Sequence, residues 1–293
     1  MSQSACFIGL GSMGTPMASN LLKGKVDLHV YNRTQEKTAP LLKLGAKLLN
    51  NPSEAFENSS VVFTMLANDH ALKEVSDELL KNAKPGCIHV SMSTISPKLC
   101  QELADKHHER GVYYLASPVF GRPDAAAQQK LWICLAGNAE AKKQVDPLLQ
   151  FIGQKIYDFG ADPHKANVVK VIGNFMILSV IELWSEAFAV SEKSGVDSQM
   201  LLDFFTETMF PSPVYKNYGK IILDRHFEPA GFKMELGLKD VDLLLRTAEA
   251  LRVPLPIAGL LHDRLLSGMA HDREEMDWSA ISLSMFEEAG ITK

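Results

Sequence analysis

Apolar residues in the first half of the chain fall in short runs separated by amphipathic stretches. The runs Ala5–Ile8, Leu28–Tyr31, Val61–Met65, Ile88–Ser91, Tyr113–Ala116 and Leu131–Ala136 predict strands. Between them, Thr15–Leu22, Lys37–Leu44, Ala71–Leu80 and Lys98–Arg110 carry the helical period. The stretch VVFTML from Val61 is almost continuously apolar, as expected of a parallel strand covered on both faces. After about Gly160 the strand signal stops. Asn167–Ser194 is a long apolar helical pattern without proline, and Gly195 is a suitable terminator. Further helices are predicted around Ser198–Thr208, Leu236–Leu251 and Ile257–Ser267, with Pro211, Pro213, Pro254 and Pro256 punctuating the loops. The pattern is α/β first and all-α second, with a doubly wound parallel sheet expected over residues 1–164 and a helical domain over 165–293. A helix as apolar as Asn167–Ser194 is expected to be covered on most sides, by its own domain and by another subunit.

Composition adds exclusions. With 293 residues, 46% hydrophobic and 22% charged, the chain has room for two cores. No run of about 18 uncharged apolar residues suggests a membrane span. The opening MSQSACFIGLGS enters a strand at once, without the layout of a signal peptide. Cys6, Cys87, Cys100 and Cys134 show neither CxxC spacing nor a companion His pair, so they are expected to be structural thiols in a reducing, cytoplasmic protein. A net charge of −5 gives no reason to expect nucleic acid or a membrane as partner.

Candidate chemistry begins at Gly9-x-Gly11-x-x-Gly14, which follows the first strand and opens a helix. The three glycines suit a tight turn, a close approach of backbone to a pyrophosphate, and tight helix–strand packing, while the helix N-terminus offers N–H donors. After the second strand, where an NAD enzyme usually presents an acid to the ribose, stand Asn32, Arg33 and Thr34, with Lys37 beyond. An amide, a guanidinium and a hydroxyl there accommodate a 2′-phosphate that a carboxylate would repel, which favours NADP (NADPH); a solvated turn with incidental charges is the plainer reading. Lys170 and Asn174, four residues apart, share one face of the long helix where the sheet region ends. A lysine partly desolvated in a cleft between two lobes can donate or accept a proton during hydride transfer, although on spacing alone a helical lysine is most often a solvated group.

GLGSMGTPMASNL, the NRT after strand two, Ser93-Thr94 with Pro97, Pro118-Val119-x-Gly121, Lys170-x-x-x-Asn174 and Lys239-Asp240 occur in order along essentially the whole chain. Together they resemble the β-hydroxyacid dehydrogenase family, which includes 3-hydroxyisobutyrate dehydrogenases and glyoxylate or succinic semialdehyde reductases. The resemblance implies an N-terminal Rossmann-type domain and a small carbonyl or hydroxyacid substrate; a homo-oligomer is expected from the apolar long helix, and no metal from the lack of ligand spacing. The resemblance also implies that Gly9, Leu10, Gly11, Ser12, Met13 and Gly14 hold the pyrophosphate, and Asn32, Arg33 and Thr34 the adenosine end. Met65 and Leu66 would line the cofactor path, Thr94 the nicotinamide-side ribose, and Phe232 and Lys239 the nicotinamide end. Lys170 would be the catalytic acid or base, with Asn174 positioning substrate.

One segment departs from the family pattern. The expected Asp-Ala-Pro-Val-Ser-Gly-Gly of the substrate-gripping loop here reads Ala116-Ser117-Pro118-Val119-Phe120-Gly121-Arg122. Ser117, Phe120, Gly121 and Arg122 are therefore the substrate-binding candidates, with two readings open. Arg122 forks onto a substrate carboxylate, which its place next to Gly121 favours, or Phe120 makes the pocket apolar for an uncharged aldehyde, ketone or imine. An imine reductase of related architecture is the competing enzyme class, against which Lys170 stands because that group commonly has Asp or Tyr there. A non-catalytic NADP-binding module is the competing binding class. Elsewhere, His107-His108 is expected to be a solvated helix end, His262 and His271 surface groups, and Trp184 and Phe188 core or subunit packing. Met209, Phe210, Tyr215 and Tyr218 are expected in a loop-rich wall beside the substrate.

Overall fold

In the first strand, β1 (Ser4–Ile8), Ala5 and Phe7 point to one face and Cys6 and Ile8 to the other, and both pairs are buried in separate clusters. Period-two alternation with both faces apolar is what a sheet covered by helices on both sides requires. The computed structural model describes residues 3–291 and divides into two compact units between Lys170 and Val171.

After β1 the first unit continues with α1 (Gly14–Lys23), β2 (Asp27–Tyr31), α2 (Ala39–Leu42), β3 (Lys47–Leu48), α3 (Ala55–Asn58), β4 (Val61–Thr64), α4 (Asp69–Leu79), β5 (Ile88–Ser91), α5 (Pro97–Glu109) and β6 (Tyr113–Ala116). Among the described residues these six strands form one parallel sheet in the order β3-β2-β1-β4-β5-β6. The order reverses between β1 and β4, so the loops leaving their carboxyl ends diverge and open a crevice, the usual ligand position in such sheets.

Leu131–Ala136 holds a strand, as expected, but one that lies outside the large parallel sheet. β7 (Val119–Phe120), α6 (Pro123–Ala127), β8 (Leu131–Leu135), α7 (Ala139–Leu149) and β9 (Gly153–Asp158) follow, and β8 joins a separate three-stranded sheet, β7-β8-β9. In that sheet β7 is antiparallel and β9 parallel to β8. Only the isolated bridge Ala116–Ala136 links it to the large sheet among the described residues. The chain turns at Pro118 and Gly121, and Gly121 takes φ +137°, so the strand order is redirected by loop geometry rather than by any change in apolar pattern.

His107 corrects an expectation. It is fully buried, not a solvated helix end, and belongs to a polar chain inside the unit. Thr64 Oγ1 lies 2.9 Å from His89 Nε2, His89 Nδ1 lies 2.9 Å from His107 Nε2, and His107 Nδ1 lies 2.6 Å from the Leu103 carbonyl. A carbonyl only accepts, so His107 Nδ1 carries a hydrogen. With both rings neutral the donors then run Thr64 to His89 to His107 to Leu103. This chain fastens the end of β4 through β5 to α5.

α8 (His164–Ser194) begins in the first unit, and its later turns belong to the second. There it is followed by α9 (Ser198–Glu207), α10 (Pro213–Leu223), α11 (Met234–Ala250), α12 (Pro256–Met269) and α13 (Ile281–Glu288). By length and composition α8 could cross a membrane. Its role here is central: Leu178, Ile181, Trp184 and Phe188 are buried in the core of the helical unit, and Glu182 pairs with Arg264 of α12 at 2.7 Å. Trp184 and Phe188 stack at 4.9 Å inside that core, as expected. The expected covering of α8 is partial, because Ile172, Met176, Leu183 and Val190 are exposed in the single chain. At 100° per residue these four fall within a 40° arc, on the side opposite Lys170 and Asn174.

The wall of Met209, Phe210, Tyr215 and Tyr218 is not all loop. Ser212 caps α10 through Val214 N and Pro213 occupies its first turn, so Tyr215 and Tyr218 are helical. Phe210 stacks on Tyr215 at 4.9 Å, and the Tyr218 hydroxyl accepts from Trp278 Nε1 at 3.0 Å.

Candidate active site

The crevice between β1 and β4 is shaped by the glycine loop. Gly9 adopts φ +98°, and a Cβ on it would lie 2.2 Å from the Met65 carbonyl oxygen. A Cβ on Gly14 would lie 1.9 Å from the Gly9 carbonyl oxygen. Both positions exclude a side chain because backbone meets backbone. Gly11 differs: it is exposed, with nothing within 4 Å of where a Cβ would stand. Bare backbone there, at the threshold of the ten-residue α1, leaves the room and the N–H donors that a pyrophosphate needs. The residues present thus fit a dinucleotide. Leu10 is buried beneath the loop, Ser12 is exposed, and Met13 packs on the sheet core.

At the end of β2, Asn32 Oδ1 accepts from Leu10 N at 2.8 Å and its Nδ2 donates to the Thr34 carbonyl. The amide therefore holds the glycine loop to the β2 turn. Arg33, Thr34 and Lys37 are exposed beside it. Met65 and Leu66 are half-buried after β4, and Leu66 N donates to Ser93 Oγ at 2.8 Å, which ties that loop to the one carrying Thr94. Asp69 adds a second tie, accepting from Ser96 N at 2.9 Å and from Ser96 Oγ at 2.5 Å. Asn20 of α1 is buried and donates to the Ala126 carbonyl at 2.7 Å, anchoring α6, the helix that follows Arg122. Ser93 and Asn20 stood inside motifs of the sequence without a role of their own, and Asp69 was not singled out. Polar residues that bond across loops carry no local spacing signal.

Within the same unit, Lys170 is 9% exposed, which excludes the solvated-lysine reading. Its Nζ stands 4.2 Å from the centroid of the Phe120 ring. Arg122 is half-buried at the start of α6, and Gly121 is exposed. Ser117 is fully buried, and among the described residues its hydroxyl has no hydrogen-bond partner. The structure therefore brings Lys170 and Phe120 together and places Ser117 beneath the surface of that loop. Cys134 is close enough to Lys170 to feel its charge. Burial pushes the Cys134 thiol up to about 11, with the ammonium pulling the other way.

In the helical unit, Asn174, one turn beyond Lys170 on α8, donates from Nδ2 to Asp240 Oδ2. Lys239 Nζ lies 2.9 Å from Asp240 Oδ1. Asp240 is a buried carboxylate that organises both partners. It stood in the Lys239-Asp240 pair of the sequence but was not singled out. Phe232 packs edge-on to Trp278 at 4.7 Å, and its N–H is held by Asp277 Oδ2 at 3.1 Å. His262 lies 3.4 Å from Asp242, and no metal-ligand cluster is present among the described residues.

A glycine loop at the switch point of a parallel sheet, with a buried lysine on the helix that follows, defines a dinucleotide-dependent oxidoreductase. Residues 4–160 match the model described as the NAD binding domain of 6-phosphogluconate dehydrogenase. Residues 165–283 match that described as NAD-binding of NADP-dependent 3-hydroxyisobutyrate dehydrogenase. The chain is 43% identical to the uncharacterized oxidoreductase YfjR of Bacillus subtilis (strain 168), over 94% of this chain and 96% of that one. It is 31% identical to 2-hydroxy-3-oxopropionate reductase of Escherichia coli (strain K12), over 94% of each. In fold it matches 3-hydroxyisobutyrate dehydrogenase (ygbJ) from Salmonella typhimurium with TM-score 0.87 at 24% identity, covering 97% of this chain and 100% of the other. An imine reductase from Pseudomonas sp. is more distant in fold, with TM-score 0.67 and 19% identity, covering 97% of this chain and 100% of that one. The chain belongs to the β-hydroxyacid dehydrogenase family of NAD(P)-dependent oxidoreductases.

Proposed function

We propose that this protein is an NADPH-dependent reductase of a small aldehyde or related carbonyl, also able to oxidise the corresponding β-hydroxyacid-type alcohol, with Lys170 as general acid and base. The observation that carries the reading is the near-complete burial of Lys170, a residue of the unit that bears the glycine loop. A lysine so buried is screened from bulk water, and a positioned general acid or base contributes about 10²–10⁴-fold in rate. When bound, the dihydronicotinamide supplies the hydride to the carbonyl carbon. Lys170 donates the proton to the oxygen, and in the reverse direction the neutral amine takes it from the hydroxyl. Asn174, held by Asp240, orients the substrate. Gly9–Gly14 bind the pyrophosphate with backbone donors, Met65, Leu66 and Thr94 line the cofactor path, and Phe232 and Lys239 attend the nicotinamide end.

NADP over NAD is supported by the exposed Arg33, Thr34 and Lys37 at the end of β2, with no carboxylate in Asn32-Arg33-Thr34. Of the two readings of the substrate loop, a carboxylate-bearing substrate is supported by the half-buried setting of Arg122. We take residues 1–164 as the dinucleotide domain and 165–293 as the substrate and oligomerisation domain, since the sheets end before α8 begins at His164. A homo-oligomer is supported by the exposed apolar arc Ile172, Met176, Leu183 and Val190. A reducing, cytoplasmic setting is supported by four buried cysteines, all free thiols.

The test is NADPH consumption with a panel of small aldehydes, with and without a carboxylate, using wild type and Lys170→Ala. Turnover that falls by about 10²–10⁴-fold in the variant, with NADPH binding retained, supports the reading. NADPH binding without turnover of any carbonyl by wild type refutes it and favours a binding module.

A further inference from the structure

β7 pairs with β8 so that Phe120 lies opposite Trp132, and its two side chains leave on opposite faces. Val119 enters the core that holds Leu131 and Ile133, while Phe120 packs against the cluster of Ile95, Cys134, Ala136 and Ala166. Gly121 then turns the chain at φ +137°, where a Cβ would stand 2.5 Å from Leu131 Cδ2. The backbone on either side of the ring is thereby fixed. Ala166 and Val169 of α8 pack into the same cluster as Phe120, which sets the turn carrying Lys170 in register with the ring. The result is the 4.2 Å separation of Lys170 Nζ from the ring centroid.

The negative face of an aromatic ring stabilises a cation and does little for a neutral amine. We propose that Phe120 is a positioning residue for Lys170: its ring face holds the ammonium at one point and favours the protonated form, so the proton donor stays charged to higher pH. The inference rests on the reading of Lys170 as the proton donor. Where the family pattern offers a serine hydroxyl to the substrate, this chain has a ring directed at the lysine instead.

The test is a direct titration of Lys170 by ¹³C NMR of the reductively methylated full-length protein, the signal being assigned by its loss in Lys170→Arg. Phe120→Leu should lower the Lys170 midpoint by about 0.4 to 1.5 pH units, and Phe120→Tyr should restore it. Replacing Phe120 with pentafluorophenylalanine keeps the ring's shape and reverses its charge distribution, so the midpoint should fall at least as far with packing preserved. In carbonyl reduction the alkaline limb of the kcat profile should move down by the same amount in Phe120→Leu. An unchanged or raised midpoint in both the leucine and the pentafluoro variants overturns the proposal. The titration needs no substrate, so an absence of turnover in wild type would remove the proposed function and still leave the role of Phe120 decided.

Discussion

The buried chain Thr64–His89–His107–Leu103 predicts that the first unit loses stability as pH falls from 7 toward 5. Burial lowers His107 to about 4, and His89, also fully buried, is lowered well below its ordinary value. In the unfolded chain an imidazole takes up a proton near pH 6.5. Between those values the unfolded state binds a proton that folded His107 does not, so stability is intact above about pH 6.5 and drains away as pH drops. For His107 alone, a displacement of about 2.5 pH units at roughly 1.4 kcal/mol each gives a loss of about 2 kcal/mol at pH 5 and about 3 kcal/mol at pH 4. His89 adds to the loss in the same direction.

Carboxylates do not imitate this effect. The Lys47 ammonium bonded to Asp27 and the Lys142 ammonium bonded to Asp158 hold those groups below the usual range, so their contribution is lost only under about pH 4. Burial raises Glu182, which acts in the opposite sense, but it is common to wild type and variant and cancels in their difference. The assay is urea unfolding followed by circular dichroism at pH 8, 6 and 5, for wild type and His107→Gln. Glutamine can still accept from His89 Nδ1 but does not titrate. The variant should be less stable at pH 8 and should lose about 2 kcal/mol less than wild type on going to pH 5. Equal pH slopes in the two proteins, or a His107 ring that titrates near pH 6.5 when folded, would refute the reasoning.

Gly11→Ala should leave the thermal midpoint within a degree or two, since its Cβ meets nothing, yet raise the Kd for NADPH at least tenfold. Gly14→Ala, whose Cβ would meet the Gly9 carbonyl, should instead cost about 1–3 kcal/mol of stability, and the reverse ranking would show that the loop is not a phosphate cradle. Arg33→Asp should cut the preference for NADPH over NADH by roughly tenfold to a hundredfold in kcat/KM, as expected for a lost charge-assisted hydrogen bond, and an unchanged ratio would place the 2′-phosphate elsewhere. Arg122→Ala should raise KM for carboxylate-bearing aldehydes by about tenfold, or about 1.4 kcal/mol, without affecting uncharged ones; equal effects on both would favour the apolar-pocket reading. Leu183→Glu should shift the sedimentation coefficient from an oligomer to a monomer, and an unshifted boundary would mean that the exposed arc of α8 is not the interface.

Much of the fold could be read from local pattern because the relevant physics is local. β1, β4 and β6 are largely apolar on both faces, β2 and β5 carry apolar residues on one face at period two, and the glycine loop and long α8 carry their own signals in adjacent residues. What was missed lacks such a signal. β9 reads Gly153–Asp158 with only Gly153 buried, so no apolar run marks it as a strand. α7 contains Pro147, a residue that argues against a helix, and α10 opens on a proline that reads equally as a turn. The second sheet depends on which strands meet after the turn at Gly121, a matter of backbone path and not of residue type.

The site divides along the same line. Gly9, Gly11 and Gly14 stood out because the demand for a bare backbone is written within a few residues, whereas Lys170 stood out only through the resemblance, a lysine at helical spacing being most often a solvated group. Asn32 was placed at the right turn, but its bond to Leu10 N, 22 residues back, could only be seen in three dimensions. The same holds for Asp240, 66 residues from the Asn174 it restrains, and for His107, whose burial beside His89 turns a polar helix end into a buried fastening. Phe120 is the sharpest case. In sequence it looks like the loss of a hydroxyl from a substrate loop, and in space its ring lies against the group expected to move the proton. If Lys170 is the proton donor as proposed, a substitution that seems to concern only the substrate bears on the acid as well, and the pH dependence of this enzyme should be set as much by residue 120 as by residue 170.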